Sequence, residues 1–360
     1  MPMKTPAVKI RAVTVNDVAQ EANVSKATAA RVLGNYGVVS EKVREGVLAA
    51  AKRLDYRPNE LARSMSTGKS GIIGVVVGDI ENPFFSLAVR GISDAAKAEG
   101  FNVILANSGE QIETEKAALR LLTGKRVDGL IVTPSESRDI SHLRDILRSG
   151  TPLALLDRAL SDLDVDTVTV DDKQAALLAT RLLVKAGHSN VCYLTAVDTD
   201  EHAYRDIDQI YTSSVRDRIQ GFLQACAEAG IDQPERLVRL GATSQPETRA
   251  IVSELLRQPQ RPTAILASDS VIALETFKAI RETGLSVPGD ISLITFHNAD
   301  WTSVTSPPIT VIDQPVYNLG KAVAELLIRR LKGHAHPPER VILPTQMIER
   351  GSIAPPATSK

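Results

Sequence analysis

The stretch VSKATAARVLGN, residues 24–35, places two long basic side chains among small ones. Lys26 and Arg31 end in hydrogen-bond donors that suit phosphate oxygens and the acceptor atoms on base edges, and the alanines between them permit close approach to a duplex. A helix face that merely carries solvated charges would have the same composition. The elements around this stretch decide between the two interpretations.

Asp157 and His297 also stand where chemistry is possible, because each directly follows an apolar run. A carboxyl group and an imidazole can form an acid/base pair, but no nucleophile motif accompanies these two residues. Cys192 and Cys226 lie in the apolar contexts VCYL and LQACAEA, which are typical of buried thiols. We therefore predict no catalytic residue, no metal, no cofactor and no enzymatic activity.

Capping residues and helical spacing predict three short helices around the opening stretch. Thr14, Ser25 and Ser40 are each placed to cap one of them. The predicted buried positions are Val15, Val18, Ala19 and Ala22 in the first helix, Ala29, Val32 and Leu33 in the second, and Val43, Val47, Leu48, Ala51 and Leu54 in the third. The three-residue turn ANV between the first two is typical of a helix-turn-helix unit, whose second helix enters the major groove.

Charge is distributed unevenly along the chain. Residues 1–70 hold 12 Lys and Arg against 6 Asp and Glu, whereas the remainder holds 30 against 37. A basic head on an acidic body favours a polyanionic partner for the head alone. The N-terminal sequence lacks an apolar run followed by a cleavage site, and no stretch approaches about 18 continuous apolar residues, which predicts a cytoplasmic protein with no membrane segment.

From residue 71 onward, short apolar runs alternate with amphipathic stretches. The runs IIGVVV, FNVILAN, GLIVT and PLALL are separated by predicted helices over 85–99 and 113–124, and the alternation resumes with NVCYLTA, LVRLG, TAILAS and ISLITF. This pattern predicts an α/β fold with two doubly wound parallel sheets. Ligands of such folds bind beyond the carboxyl ends of the strands, here in the cleft between the two halves.

The run from VTVNDVAQEANVSKATAARVLGN to IIGVVVGDIENPFFSLAVRGI resembles the LacI/GalR family of bacterial transcriptional repressors. The segments RVDGLIVTPS, LLDRAL, ILASDSVIAL and SVPGDISLITF match in the same order, so the resemblance covers about residues 13–350. It implies a helix-turn-helix domain over 13–57, a hinge helix and linker over 58–70, and an effector-binding and dimerisation core over 71–350, similar to periplasmic sugar-binding proteins.

The resemblance also divides the core into two subdomains. The chain is expected to cross between them near residues 170, 310 and 334. The first subdomain would then comprise about 71–170 and 311–333, and the second about 171–310 and 334–350.

For the head, the resemblance implies that Lys26, Ala27 and Arg31 read bases and that Met65, where the family usually has Leu, wedges into the minor groove. Met65 could alternatively be an exposed linker residue. Ala30 replaces the usual Ser, and GN stands at 34–35 where NG is common. The implied DNA-contacting set is Thr14, Ser25, Lys26, Ala27, Thr28, Arg31, Asn35, Tyr56, Asn59, Ala62, Arg63 and Met65.

For the cleft, the resemblance implies an effector site at the strand ends. Phe84 and Phe85 could equally be core residues, and Asp269 could equally cap a helix. The implied effector-binding set is Phe84, Phe85, Ser135, Asp157, Ser214, Arg218, Thr243, Asp269 and His297.

Three departures from the family pattern bear on the effector. His297 and Asn298 replace the usual carboxylates of GFDD, which favours an anionic group on the ligand if the imidazole is charged and a sugar hydroxyl if it is neutral. Thr243 stands where several members have a large aromatic residue, which leaves space for a disaccharide or glycoside. Residues 198–212 form a loop about ten residues longer than usual, either a lid over the cleft or a disordered insertion.

The resemblance predicts a homodimeric repressor that binds a pseudo-palindromic DNA operator and responds to a sugar, a disaccharide or glycoside, or a sugar acid. The alternative is a sugar-binding or sugar-processing protein with an incidental basic head. A periplasmic receptor would need a signal peptide and a hydrolase would need a paired catalytic constellation, so the regulator is the favoured hypothesis.

Overall fold

The computed structural model describes residues 13–34, 37–56, 68–197, 199, 202–334 and 336–357. These residues form two compact units divided after Gly71, each with its own hydrophobic core. Within the described ranges, no helix is long and apolar enough to cross a bilayer.

The first unit contains three helices, α1 (Val15–Glu21), α2 (Lys26–Leu33) and α3 (Glu41–Arg53). Asn23, with φ of 53°, turns the chain between α1 and α2 in a left-handed conformation that asparagine tolerates well. The buried core consists of Val18, Ala19, Ala29, Val32, Val47, Ala50 and Ala51. The predicted helix-turn-helix arrangement is thus present.

Two of the three predicted caps are confirmed. Thr14 forms a reciprocal capping box with Asp17, and Ser25 accepts a hydrogen bond from the Thr28 N–H. Ser40 occupies the N-cap position of α3 but its side chain makes no capping bond. The prediction that Leu48 is buried is wrong, because it lies on the outer face of α3 and is 48% exposed.

The second unit alternates strands and helices. Its strands are β1 (Ile72–Val77), β2 (Asn102–Asn107), β3 (Gly129–Val132), β4 (Leu153–Leu156), β5 (Asp166–Val170), β6 (Val191–Leu194), β7 (Val238–Arg239), β8 (Ala264–Ala267), β9 (Ser292–Phe296), β10 (Thr310–Asp313), β11 (Arg340–Leu343) and β12 (Gln346–Ile348). Its helices are α4 (Pro83–Ala98), α5 (Ile112–Gly124), α6 (Ser141–Arg148), α7 (Asp172–Lys185), α8 (Ser213–Glu228), α9 (Gln245–Arg257), α10 (Ser270–Glu282), α11 (Trp301–Val304) and α12 (Val316–Leu331), with 3₁₀ turns at Ile207–Gln209 and Pro234–Leu237.

The strands form two six-stranded sheets. The first has the order β11-β5-β4-β3-β1-β2 and is parallel throughout, and the second has the order β12-β10-β9-β8-β6-β7. Only the pair β10–β12 is antiparallel among the strands that the structure describes. The predicted α/β class with two doubly wound, mainly parallel sheets is confirmed, and each sheet with its helices constitutes one subdomain.

Strand pairing shows that two of the three crossings between the subdomains lie later in the chain than predicted. The chain leaves the first sheet after Val170, near the expected residue 170. It returns only after Asp313, since β10 still pairs with β9 in the second sheet. The third crossing was expected near 334 but lies after Leu343, because β11 pairs in parallel with β5. A crossing at 334 would leave β5 as an open edge, and the pairing with β11 covers it.

Glycines allow pairs of helices to approach closely in both subdomains. In the first subdomain, α4 and α12 meet at Gly91 and Gly320. In the second, α7 and α8 meet at Gly221, where a Cβ would lie 2.1 Å from the Lys173 carbonyl oxygen. A backbone atom cannot swing aside as a side chain can, so these contacts fix the spacing of the helices.

We expect Gly221→Ala to destabilise the protein by about 1 to 3 kcal/mol, because the added methyl group forces α7 and α8 apart. The matched control is Gly124→Ala on α5, where a Cβ would meet nothing within 4 Å. That change should be neutral or stabilising by up to about 1 kcal/mol. Urea unfolding followed by circular dichroism measures both, and equal midpoints for the two variants would contradict the prediction.

Candidate functional site

In the first unit, α2 presents one polar face and buries the other. Lys26, Ala27 and Arg31 are exposed, whereas Ala29 and Val32 are buried against α1 and α3. The small Ala27 leaves the first turn narrow between the two long cations. This is the geometry that lets the N-terminal end of a helix reach base edges in the major groove.

Arg31 is supported by its surroundings. A Cβ at Gly37, which has φ of 77°, would lie 3.4 Å from Arg31 Cδ. The stem of the Arg31 side chain therefore runs along the loop backbone. Tyr56 is half-buried against the core of this unit. The hydroxyls of Thr14, Ser25 and Thr28 take part in the N-caps of α1 and α2. Asn35, Asn59, Ala62, Arg63 and Met65, with most of the predicted hinge, lie outside the described residues.

In the second unit, the strands of both sheets end at one cleft, and Asp157 is the first residue beyond β4. It has φ of 67°, and its N–H donates to the Val168 carbonyl. Ser214, at the start of α8 in the other subdomain, donates to Asp157 Oδ2 at 3.5 Å. The two walls of the cleft therefore meet at the Asp157 carboxylate. Burial raises the pKa of this group, and the positive charge of Arg218 opposes the shift.

Several buried polar atoms at these strand ends have no hydrogen-bond partner among the described residues. They are Thr133 Oγ1, Asp157 Oδ1 and Arg158 Nε in the first subdomain, and Thr195 Oγ1, Ser270 Oγ, His297 Nδ1 and Gln314 Nε2 in the second. Buried polar groups are nearly always bonded, and each exception costs about 1 to 3 kcal/mol. A cluster of such groups where strands of both sheets end identifies a place built to bind a polar ligand.

Both arginines of the cleft are neutralised by carboxylates of the protein. Arg158 makes a bidentate pair with Glu110, at 2.5 and 2.9 Å, and also donates to the Pro134 carbonyl. Arg218 Nε donates to Asp172 at 2.6 Å, and its guanidinium lies 4.2 Å from the centroid of the Phe296 ring. Neither guanidinium is available as an unpaired positive charge.

Two acidic groups of the cleft lack such a pairing. Asp157 Oδ2 lies 3.8 Å from Arg158 Nε, beyond hydrogen-bond distance. Asp269 caps α10 through bonds to Oδ1 from the Val271 and Ile272 N–H groups, so the capping alternative is confirmed for it. Burial raises the pKa of Asp269 as well. The site is thus neutral to acidic in character.

His297 follows β9 with φ of 69° and is buried. Burial lowers its pKa to about 4, and the carboxylates of Asp313 and Asp300 oppose the shift only in part. The imidazole is therefore neutral near pH 7, which favours the neutral of the two alternatives, an imidazole that binds a sugar hydroxyl. Its ring stands edge-on to Phe84 across the cleft, with 6.1 Å between centroids.

The remaining predicted effector residues occupy different surroundings. Phe84 and Phe85 pack in the core of the first subdomain, with their rings at 90° and 5.3 Å between centroids. Thr243 is exposed, and its hydroxyl donates to Glu247 on α9. Ser135 is buried, and its hydroxyl lies 3.4 Å from that of Ser108.

A buried acidic residue behind Ser135 resembles part of a catalytic triad. Glu115 accepts from the Ser135 N–H at 2.6 Å and is bonded to His142 Nε2 at 2.7 Å. No described hydroxyl or thiol lies within hydrogen-bond distance of the other ring nitrogen, His142 Nδ1. The group therefore lacks a nucleophile and acts as a brace for the loop after β3.

Sequence reasoning missed several polar residues of the cleft. Thr133, Thr195 and Gln314 each directly follow a strand, at β3, β6 and β10. The position directly after a strand is the signal in the sequence that could have identified them. Arg158 was missed although it adjoins Asp157.

Two family models match this chain. Residues 14–59 match the model of bacterial regulatory proteins of the lacI family, and residues 70–350 match the model of periplasmic binding proteins and the sugar binding domain of the LacI family. Catabolite control protein A of Priestia megaterium is 31% identical over 319 residues, which cover 88% of this chain and 92% of the relative.

Solved structures agree with these matches. The lac repressor dimer bound to operator and the anti-inducer ONPF has a TM-score of 0.81 at 26% identity, over 96% of this chain and 100% of that chain. The complex of the transcriptional regulator CelR with cellobiose has a TM-score of 0.68 at 27% identity, over 94% of this chain and 99% of that chain.

A helix-turn-helix unit followed in sequence by a two-sheet unit with a polar cleft defines a DNA-binding regulator that responds to a small ligand. The chain belongs to the LacI family of bacterial regulatory proteins. It is a DNA-binding transcriptional repressor with a sugar-binding effector domain.

The state of His297 makes stability depend on pH. Above about pH 6.5 the imidazole is neutral in both the folded and the unfolded chain, whereas between pH 6.5 and about 4 only the unfolded chain gains a proton. The free energy of unfolding therefore falls as the pH is lowered through this range. His297→Asn, which suits the positive φ, should reduce the loss between pH 7 and pH 5 by about 1 to 2 kcal/mol.

Urea unfolding at the two pH values measures this effect. Thr133→Val, a change between uncharged residues directly after β3, serves as the control and should keep the pH dependence of the parent. If His297→Asn and the parent lose equal stability, His297 binds its proton in the folded state.

Proposed function

We propose that this chain binds a pseudo-palindromic operator as a homodimer in the cytoplasm, and that a neutral carbohydrate in the cleft controls its operator affinity. The observation that carries the ligand proposal is the cluster of unused donors and acceptors at the strand ends. A sugar presents hydroxyls that both donate and accept, which matches a mixed set of hydroxyl, carboxylate, amide and imidazole groups.

The charge of the cleft favours a neutral ligand over a sugar acid or phosphate. Arg158 and Arg218 are already paired with Glu110 and Asp172. An anionic ligand would have to compete with these buried carboxylates and would lie close to Asp157. Leaving a charge buried without a partner is far more costly than burying a bonded hydroxyl.

A disaccharide is the ligand size that we favour. Thr243 is small and exposed, whereas several family members have a large aromatic residue at this position. We propose that the smaller side chain leaves space for the second sugar ring. The CelR complex, which contains cellobiose, matches 94% of this chain. Effector contacts are proposed for Asp157, Ser214, Arg218 and His297.

The DNA proposal depends on the exposed face of α2. Lys26 and Arg31 would contact phosphates and base edges, and Ala27 would make an apolar contact such as one to a thymine methyl group. A two-fold dimer places two such helices on two half-sites, which is why the operator should be pseudo-palindromic. The lac repressor structure matched above is a dimer on operator.

We propose no enzymatic role. Glu115 and His142 are the described residues that most resemble catalytic machinery, and no nucleophile adjoins them. The cleft instead holds polar groups of the kind that bind hydroxyls without a paired acid and base.

Thermal unfolding against a panel of carbohydrates tests the class of effector. At 100 times its dissociation constant a ligand stabilises the folded state by about 2.7 kcal/mol, which shifts the melting temperature by several degrees. The panel should include neutral mono- and disaccharides, glycosides, sugar acids and sugar phosphates. A shift from sugar acids or phosphates alone would overturn the neutral-ligand proposal.

Asp157→Asn should weaken binding of the carbohydrate identified in this way by roughly tenfold, because the amide replaces an acceptor oxygen by a donor and leaves a buried polar group unpaired at a cost of about 1 to 3 kcal/mol. Asparagine tolerates the positive φ of this residue, so the backbone is preserved. Isothermal titration calorimetry measures the affinity. Binding equal to that of the parent would remove Asp157 from the site.

Arg31→Ala should lower the affinity for a selected operator by roughly ten- to a hundredfold at fixed salt, the range expected for loss of a bidentate base contact. Lys52→Ala removes an equal charge from the exposed end of α3 and is the matched control. Fluorescence anisotropy on the operator and on a random duplex separates sequence reading from general attraction. Equal losses for both variants on both duplexes would show that Arg31 acts only through its charge.

A further inference from the structure

A cation–π contact joins the two subdomains beside the cleft. The Arg138 guanidinium, in the loop after β3, lies over the ring of Tyr211 with 3.8 Å from Cζ to the centroid. Arg138 is also bonded to Glu136 of its own loop. Tyr211 belongs to the long loop that precedes α8, so the contact runs from one wall of the cleft to the other.

The loop that carries Tyr211 is fixed to the second subdomain at its beginning. The His202 carbonyl accepts from the Leu240 N–H at 3.0 Å, and Ala203 forms a β-bridge with Arg239. The His202 ring lies so close to Gly241 that a Cβ there would meet it at 1.9 Å. Gly241, which has φ of 91°, leaves room for this ring beside β7.

The same loop is packed further along. Tyr204 and Ile210 are buried in the core of the second subdomain. Arg216 on α8 donates twice to the Ile210 carbonyl, at 2.7 and 3.2 Å. Residues 202–212 are thus part of the folded subdomain, which excludes the disordered alternative for this part of the insertion and delivers Tyr211 at a fixed position.

The contact continues directly into the cleft. Ser213 Oγ accepts from the Ala159 N–H at 2.8 Å, and Ser214 Oγ donates to Asp157. Four consecutive residues at 211–214 therefore provide three contacts to the opposite wall, ending at the carboxylate that we assign to the effector.

We propose that Arg138 and Tyr211 form a clasp that holds the two walls of the cleft together beside Asp157 and so limits how far the subdomains open. Opening the cleft must separate the guanidinium from the ring and break the Ala159–Ser213 hydrogen bond together. The clasp itself is independent of the effector, and only its influence on ligand binding rests on the proposed function.

The strength of the clasp suits a control element. A partly exposed cation–π pair shifts an opening equilibrium by roughly two- to fivefold, which tunes opening without preventing it. Arg138 is 58% exposed, and Tyr211 is half-buried but belongs to none of the hydrophobic core clusters, so replacing either residue leaves the cores intact.

Hydrogen exchange in the ligand-free protein tests the clasp. The Ala159 amide is bonded across the cleft, so its exchange rate reports opening. Tyr211→Ala and Arg138→Ala should each accelerate exchange in a peptide covering Ala159 by roughly two- to fivefold, with no further gain in the double variant. Tyr211→Phe, which keeps the ring, should exchange like the parent.

Peptides from strand β3 provide the internal control, since they lie within one subdomain. Unchanged exchange at Ala159 in Tyr211→Ala, or equal acceleration in Tyr211→Phe, would overturn the clasp. Full additivity in the double variant would show that the two residues act separately, which also contradicts the proposal.

A second measurement separates the clasp from the effector assignment. Cellobiose affinity is measured by calorimetry and its release rate by stopped-flow dilution, for the parent and for Tyr211→Ala. Release should be faster in the variant by roughly the factor seen in exchange. If cellobiose fails to bind the parent, the assignment of a disaccharide has failed for that sugar, while the exchange result still decides the clasp. Binding with equal release in both proteins would overturn the influence of the clasp on the ligand.

Discussion

Parallel pairing of strands determines where the polar side chains of this protein gather. Because neighbouring strands run in the same direction, their carboxyl ends meet at one edge of each sheet, and the two edges face the same cleft. Asp157 and His297 follow β4 and β9 with positive φ, which turns the chain sharply at that edge. Thr133, Thr195 and Gln314 lie at the same edge because each directly follows a strand.

Burial then determines what these groups can recognise. Each guanidinium of the cleft has a carboxylate partner, and His297 has lost its proton because water is excluded around it. The result is a site rich in hydrogen-bonding capacity with no positive charge to offer, the electrostatic opposite of the exposed cations on α2. One chain thus carries an exposed basic surface and a buried cleft with no unpaired positive charge, and the difference follows from their exposure to water.

Much of this organisation could be predicted from the sequence, and the exceptions have physical reasons. Central strands buried on both faces appear as continuous apolar runs, so β1, β3, β4, β8 and β9 were readily predicted. β5 was missed because threonine alternates with valine, and β11 because it is an edge strand with Ile342 64% exposed. The charge of His297 could not be predicted, since it depends on residues distant in sequence that exclude water.

The return of the chain to the first sheet has a consequence for biosynthesis. β11 and α12 belong to that sheet although they are encoded far downstream of β1 to β5, and the buried face of α12, which includes Leu319, Val323 and Leu327, covers strands made much earlier. While the chain emerges from the ribosome, β5 has an open edge and its sheet has an uncovered apolar face for the whole time needed to synthesise the second subdomain. The first sheet can therefore be completed only after residue 343 has left the exit tunnel.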